Sequence, residues 1–105
     1  MNLQETIRDL SRELNYLYLN VTPPDDSRIE KIRDHLDELS IAALKKTLDE
    51  DSNDFKTAIE TLNNATKAAG SAVKDLSKTA DAIDGAVQAV KVLDKLLDYA
   101  GSFIA

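Results

Sequence analysis

Residues 55–104, FKTAIETLNNATKAAGSAVKDLSKTADAIDGAVQAVKVLDKLLDYAGSFI, decide how this chain folds. Steps of four and three from Phe55 reach Ile59, Leu62, Thr66, Ala69, Val73, Leu76, Ala80, Ile83, Val87, Val90, Asp94, Leu97, Gly101 and Ile104. That alternation places one residue of each pair on the same side of an α-helix, so this half of the chain is built to bury a seam against other helices. A second row, Ala58, Ala65, Ala72, Thr79, Ala86, Leu93 and Ala100, widens the seam with mostly small side chains, which let helix backbones approach closely.

Whether these residues form one helix or two follows from length. Unbroken, about 50 residues would span about 75 Å, whereas the helices expected upstream reach only about 30 to 35 Å. Half of such a helix would have no partner within the chain. Two breaks are available: Gly70-Ser71, with the better C-terminal signal, and residues 77–81, where Thr79 offers a cap and Asp81 an acid for the positive first turn. Continuity of the heptad argues for one helix. The corresponding folds are an antiparallel bundle of four helices or, as the alternative, three helices with a long third that dimerises.

Upstream, Leu3, Ile7, Leu10, Leu14, Leu17 and Val21 repeat the same spacing and predict a first helix over about residues 2–20. Pro23-Pro24 ends it, because two prolines remove two backbone donors and push the preceding residue out of the helical region. Ser27, with Glu30 three residues on, reads as a capping box opening a second helix over about residues 28–49. Its first half has a narrow face of Ile29, Ile32, Leu36, Leu39 and Ala43; Ile41, Leu44 and Leu48 then form a second apolar cluster on another side. A helix apolar on two sides is expected to sit between more than one partner. Ser52 or Asn53 caps the helix that follows.

At 105 residues the chain is one domain, and with aromatic residues at 5% its core must be aliphatic. It holds no cysteine, so no disulfide or thiolate metal site contributes, and helix packing carries the stability. No stretch approaches the ~20 apolar residues of a membrane span, and the charged start MNLQETIRDLSRELN lacks the apolar run of a signal peptide. A cytoplasmic protein is expected. The net charge of −6 lies entirely in residues 1–54, with 13 acids against 7 bases, while residues 55–105 hold 6 of each. An acidic surface without a basic stripe argues against nucleic-acid binding.

Chemistry-bearing patterns are sparse. Asp49, Asp51, Asn53 and Glu60 fall at positions 1, 3, 5 and 12 of a calcium-binding loop between helices. Asp54 stands where that loop needs its turn glycine and Lys56 where it is apolar, so the cluster reads as an acidic turn and no metal is assigned. His35, the single histidine, lies among Asp34, Asp37 and Glu38 and reads as a surface residue; a di-iron site would need Glu-x-x-His on two helices. No nucleophile elbow, phosphate loop or dinucleotide loop is present, so no catalytic residue, cofactor or small-molecule substrate is assigned.

The segment VLDKLLDYAGSFIA, residues 92–105, is apolar nearly all round, and Leu93, Leu96, Leu97, Phe103 and Ile104 are the candidate interface residues. It can be a buried central helix, a dimer interface or an end that enters lipid. Asp94 and Asp98 balance Lys91 and Lys95, which removes the cationic excess of membrane-surface helices and argues against lipid. The expectation is a non-enzymatic helical interaction or oligomerisation module, meeting a protein partner or a second copy of itself as a possible homodimer. Its alternatives are a membrane-active bundle using the C-terminal helix and a calcium-responsive helix-loop-helix protein.

Overall fold

The computed structural model describes residues 2–99, 101 and 103, and these build four α-helices. They are α1 (Leu3–Tyr18), α2 (Asp25–Leu44), α3 (Asn53–Lys74) and α4 (Thr79–Leu97), with a single 3-10 turn, Leu76–Lys78, between the last two. The bundle measures 38 × 23 × 17 Å, which matches the length of one helix of about 22 residues.

The long C-terminal half therefore folds back on itself. Helix α3 continues through Gly70 and stops at Asp75, whose extended backbone (φ −146°, ψ 97°) leaves the helical region. The Asp75 carboxylate then accepts from the Ser77 backbone N–H at 3.2 Å and from the Ser77 hydroxyl at 2.7 Å, and these bonds hold its pKa below the ordinary carboxylate value. Thr79, expected as a cap, is instead the first residue of α4; its side chain is buried and its hydroxyl donates to the Leu76 carbonyl. The heptad stripe shows where it is interrupted: Leu76 and Ala80 face solvent, and burial resumes at Ile83.

Helix ends upstream follow local chemistry. Asn2 accepts from the Gln4 and Glu5 backbone N–H groups and caps α1, and Ser52 accepts from Phe55 N–H at 3.1 Å and caps α3. Helix α2 begins at Asp25, three residues before the position expected from Ser27, because Pro24 presets the helix entry and Asp25 and Asp26 favour its positive first turn. It ends at Leu44 rather than near Asp49. Residues 45–52 form a connection rather than helix.

Each helix has two neighbours: α1 packs against α2 and α3, and α4 against α2 and α3. Successive helices alternate in direction, since the start of α1 (Asn2, Leu3), the end of α2 (Ala43) and the start of α3 (Phe55) surround one groove. The start of α3 (Asp54, Thr57) also meets the end of α4 (Val92, Leu96). The connection from α2 to α3 thus crosses the diagonal, about 14 Å for helices about 10 Å apart, which an eight-residue stretch spans easily.

The core is aliphatic and alanine-rich. Leu10, Leu14 and Leu17 of α1, Ile29, Ile32, Leu36 and Leu39 of α2, Leu62 of α3, and Ile83, Leu93 and Leu97 of α4 are fully enclosed. In α3 the centre of the seam is Ala58, Ala65, Ala69 and Ala72, while Ile59, Thr66 and Val73 flank it half-buried. A methyl group at Gly85 would lie 3.8 Å from the Ala65 Cα, ordinary contact at a point where the two backbones come close. Between α1 and α2, Arg33 donates to Asn15 at 2.7 Å and stacks over Tyr18, whose hydroxyl donates to Glu30 at 3.2 Å.

Two outcomes follow for stability. Ile83, 1% exposed, cannot hold a charge, so Ile83→Asp should lose several kcal/mol in urea denaturation, whereas Leu76→Asp, at 48% exposure, should stay within about 1 kcal/mol of wild type. Equal loss in both would mean that the fold-back is wrongly placed. Gly85→Ala should raise stability by about 0.5–1 kcal/mol, because a methyl fits and alanine is the better helix former. A destabilised Gly85→Ala protein would show that α3 and α4 leave no room for a methyl there.

Candidate functional site

The polar centre of the molecule joins α2 to α4. His35, expected at the surface, is buried, and its Nε2 lies 2.7 Å from Oδ1 of the equally buried Asp94. Asp94 Oδ2 accepts from the Phe103 backbone N–H at 2.7 Å, so the carboxylate uses one oxygen for α2 and the other for the segment after α4. With the carboxylate as acceptor, the imidazole hydrogen sits on Nε2. Nδ1 then faces Glu38 Oε2 at 3.5 Å.

Aromatic rings enclose this tie. Tyr99 meets the imidazole edge-on with centroids 5.6 Å apart, and Phe103 lies tilted at 5.3 Å. Partial burial, and after it the Glu38 carboxylate 3.5 Å from the phenol, raise the Tyr99 pKa above its ordinary value. The local fold explains the placement: Asp98 adopts the left-handed conformation (φ 48°, ψ 50°) that ends α4, and Tyr99 N–H bonds back to the Asp94 carbonyl. The chain after α4 is thereby turned across the face of His35.

The Nε2–Asp94 bond fixes the ring orientation and joins α2 to α4. The tie was partly legible: Asp94 is the one acid on the heptad stripe, and a charge on a seam needs a partner. What hid the partner was the helical angle of His35, which falls at the edge of α2's apolar face beside its acids.

The acidic turn separates. Asp49 accepts from Asp51 N–H at 3.0 Å, Asn53 is the first residue of α3, and Glu60 lies two turns along that helix, exposed. Glu60 borders a surface groove with Lys56 and Lys67, whose ammonium groups oppose a divalent cation. Among the described residues no three His, Cys, Asp or Glu side chains converge as metal ligands.

Of the residues expected at an interface, Leu93 and Leu97 are enclosed in the chain's own core, and Leu96 and Phe103 are half-buried against it; Ile104 lies outside the described residues. The apolar surface left open is elsewhere. On α2, Ile41 is 57% exposed on the side opposite the buried Ile32, Leu36 and Leu39, and Leu44 is 71% exposed about a third of a turn from that buried face. Beside Ile41 runs a groove of about 360 Å³ between Ala42 and Tyr99, bounded by Glu38, Lys45 and Lys46. Leu19 and Leu76 are also exposed, each outside the α2 stripe. Among the described residues, no helix is long and apolar enough to cross a membrane. Comparison with protein-family models, curated proteins and solved structures finds no match to the chain.

The His35–Asp94 tie should be visible as coupling. Asp94→Leu alone strands His35 and the Phe103 N–H, and His35→Phe alone strands a buried carboxylate, each costing about 2–4 kcal/mol. The double variant should recover about 1–3 kcal/mol of the summed loss, with amide exchange at Phe103 accelerated wherever Asp94 is replaced. Additive losses in urea denaturation would remove the tie from the account.

Proposed function

We propose that this protein is a non-enzymatic interaction module whose contact surface is the outward face of α2. The observation that carries this reading is the pair Ile41 and Leu44: large aliphatic residues one helical turn apart, both mostly exposed, on a helix whose opposite face already satisfies the core. Exposed leucines are common singly. Here Ile41 borders an apolar groove that Tyr99 lines and charged residues rim, and Leu44 lies one turn further on the other side of Ile41, the anatomy of a small protein-contact patch.

The polar residues support binding rather than chemistry. The one histidine is held by Asp94 within the bundle, where it orients the segment that carries Tyr99 to the groove. Its function in this reading is positional. Acidic residues in the first half of the chain keep the rest of the surface solvated.

The test uses a photo-crosslinking residue at position 44 and, as control, at the exposed Lys67 of α3. A contact surface on α2 predicts crosslinked species from position 44 in the protein's own cell and none of comparable yield from position 67. Leu44→Lys should abolish the contact while changing stability by no more than about 0.5 kcal/mol, as expected for an exposed side chain. Equal crosslinking from both positions, or none from 44, would sink the reading.

A further inference from the structure

The charges along the α2 face identify its occupant. At 100° per residue, Ile41 lies at the centre of the exposed stripe, Asp37 and Glu38 come one turn earlier, and Leu44 and Lys45 one turn later. Asp34 extends the acidic end by another turn. The stripe therefore reads acid, aliphatic, base along its length. All of these side chains except Lys45, which sits at the helix cap, belong to one regular helix, and all are exposed.

A surface with that polarity complements itself when reversed. We propose that the α2 face binds a second copy of this chain, with the two α2 helices antiparallel about a two-fold axis beside Ile41. This rests on the interaction reading above and names the partner. In that register Ile41 meets the partner's Ile41 close to the axis, and Glu38 lies opposite the partner's Lys45. Rotation about an axis perpendicular to the helices keeps each side chain on its own side of the interface, and Glu38 and Lys45 share a side, about 60° and about 40° from Ile41. A parallel pair, whose axis exchanges the two sides of the interface, would instead set Glu38 beside the partner's Asp37 and leave Lys45 beside the partner's Leu44, so the charges select the antiparallel arrangement. Beyond Lys45 the helix ends and the chain turns away across the bundle, so the contact is confined to about two turns of helix and is weak.

The absence of cysteine gives a direct test on the full chain, since any single introduced cysteine is the only thiol. Ile41→Cys should form a disulfide-linked dimer readily under mild oxidation. Glu38→Cys mixed with Lys45→Cys should give the heterodimer in at least about tenfold excess over either self-linked product. Two copies of residue 38 in the antiparallel pair are offset by seven residues, about 10 Å along the axis, beyond the Cα separation that a disulfide bridges. Lys67→Cys on α3 serves as the collisional control.

Sedimentation equilibrium supplies the second arm. Glu38→Lys and Lys45→Glu should each weaken dimerisation about tenfold, and the double reversal should restore it to within about threefold of wild type. A wild type that stays monomeric to millimolar concentration, self-linking at 38 or 45, or linking at 67 as efficient as at 41 would each overturn the second-copy assignment. Crosslinks from position 44 to a different protein, with a monomeric wild type, would overturn it while leaving the interaction reading intact.

Discussion

The rest of the structure depends on the reversal of direction at Asp75. Helix α4 carries buried and half-buried residues over more than half of its circumference, from Val92 and Leu96 through Ala82, Ala86 and Leu97 to Ile83 and Val87, and no single neighbour can cover so wide a face. Once the chain turns back at residues 75–78, α3 covers one side with its alanine row and α2 covers the other. The aspartate achieves this locally. It takes an extended backbone, ends the α3 hydrogen-bond ladder, and offers its carboxylate to the next turn before α4 begins.

The alanines set how the two long helices meet, and through them the distribution of large side chains. Ala58, Ala65, Ala69 and Ala72 allow α3 to approach α4 at Gly85, so volume is supplied mainly from the outer helices: the leucines of α1 and the isoleucines and leucines of α2. This also explains why α2 and α4 are tied by a polar pair. Where one side of a core is closed by alanine, the opposite side must reach further in. The imidazole of His35 bonds the one carboxylate that the heptad stripe carries, under the rings of Tyr99 and Phe103.

Much of this architecture was legible from residue spacing, because helix periodicity and proline chemistry act within a few residues of where they are read. The break at Pro23-Pro24, the cap at Ser52 and the all-helical class are all local. The fold-back was legible as a choice between Gly70 and residues 77–81, and the helix passes through Gly70 because a helical glycine costs only about 1 kcal/mol against the packing gained by continuing to Lys74. Of the features that escaped, two have causes beyond local chemistry. The end of α2 at Leu44 was masked by Leu48, which keeps the apolar pattern going although its backbone is already in the loop and it packs on the core from there. The partner of Asp94 escaped because His35 and Asp94 are far apart in sequence, and only the packing of α2 on α4 brings them together.

Position also separates the two apolar surfaces that composition alone runs together. The C-terminal helix is the more apolar, yet its Leu93 and Leu97 are enclosed, because a helix with three apolar sides is suited to the inside of a bundle. Helix α2 is less apolar and more charged, yet it keeps Ile41 and Leu44 in solvent. An aliphatic pair exposed on an otherwise acidic helix adds nothing to the core, and the proposed interaction gives it a role. The tie at Asp94 bears on the same surface: by bending the chain after α4 across His35, it brings Tyr99 to the edge of the α2 face and gives that face its aromatic wall. The interaction that closes the bundle thus also shapes the surface that the bundle presents.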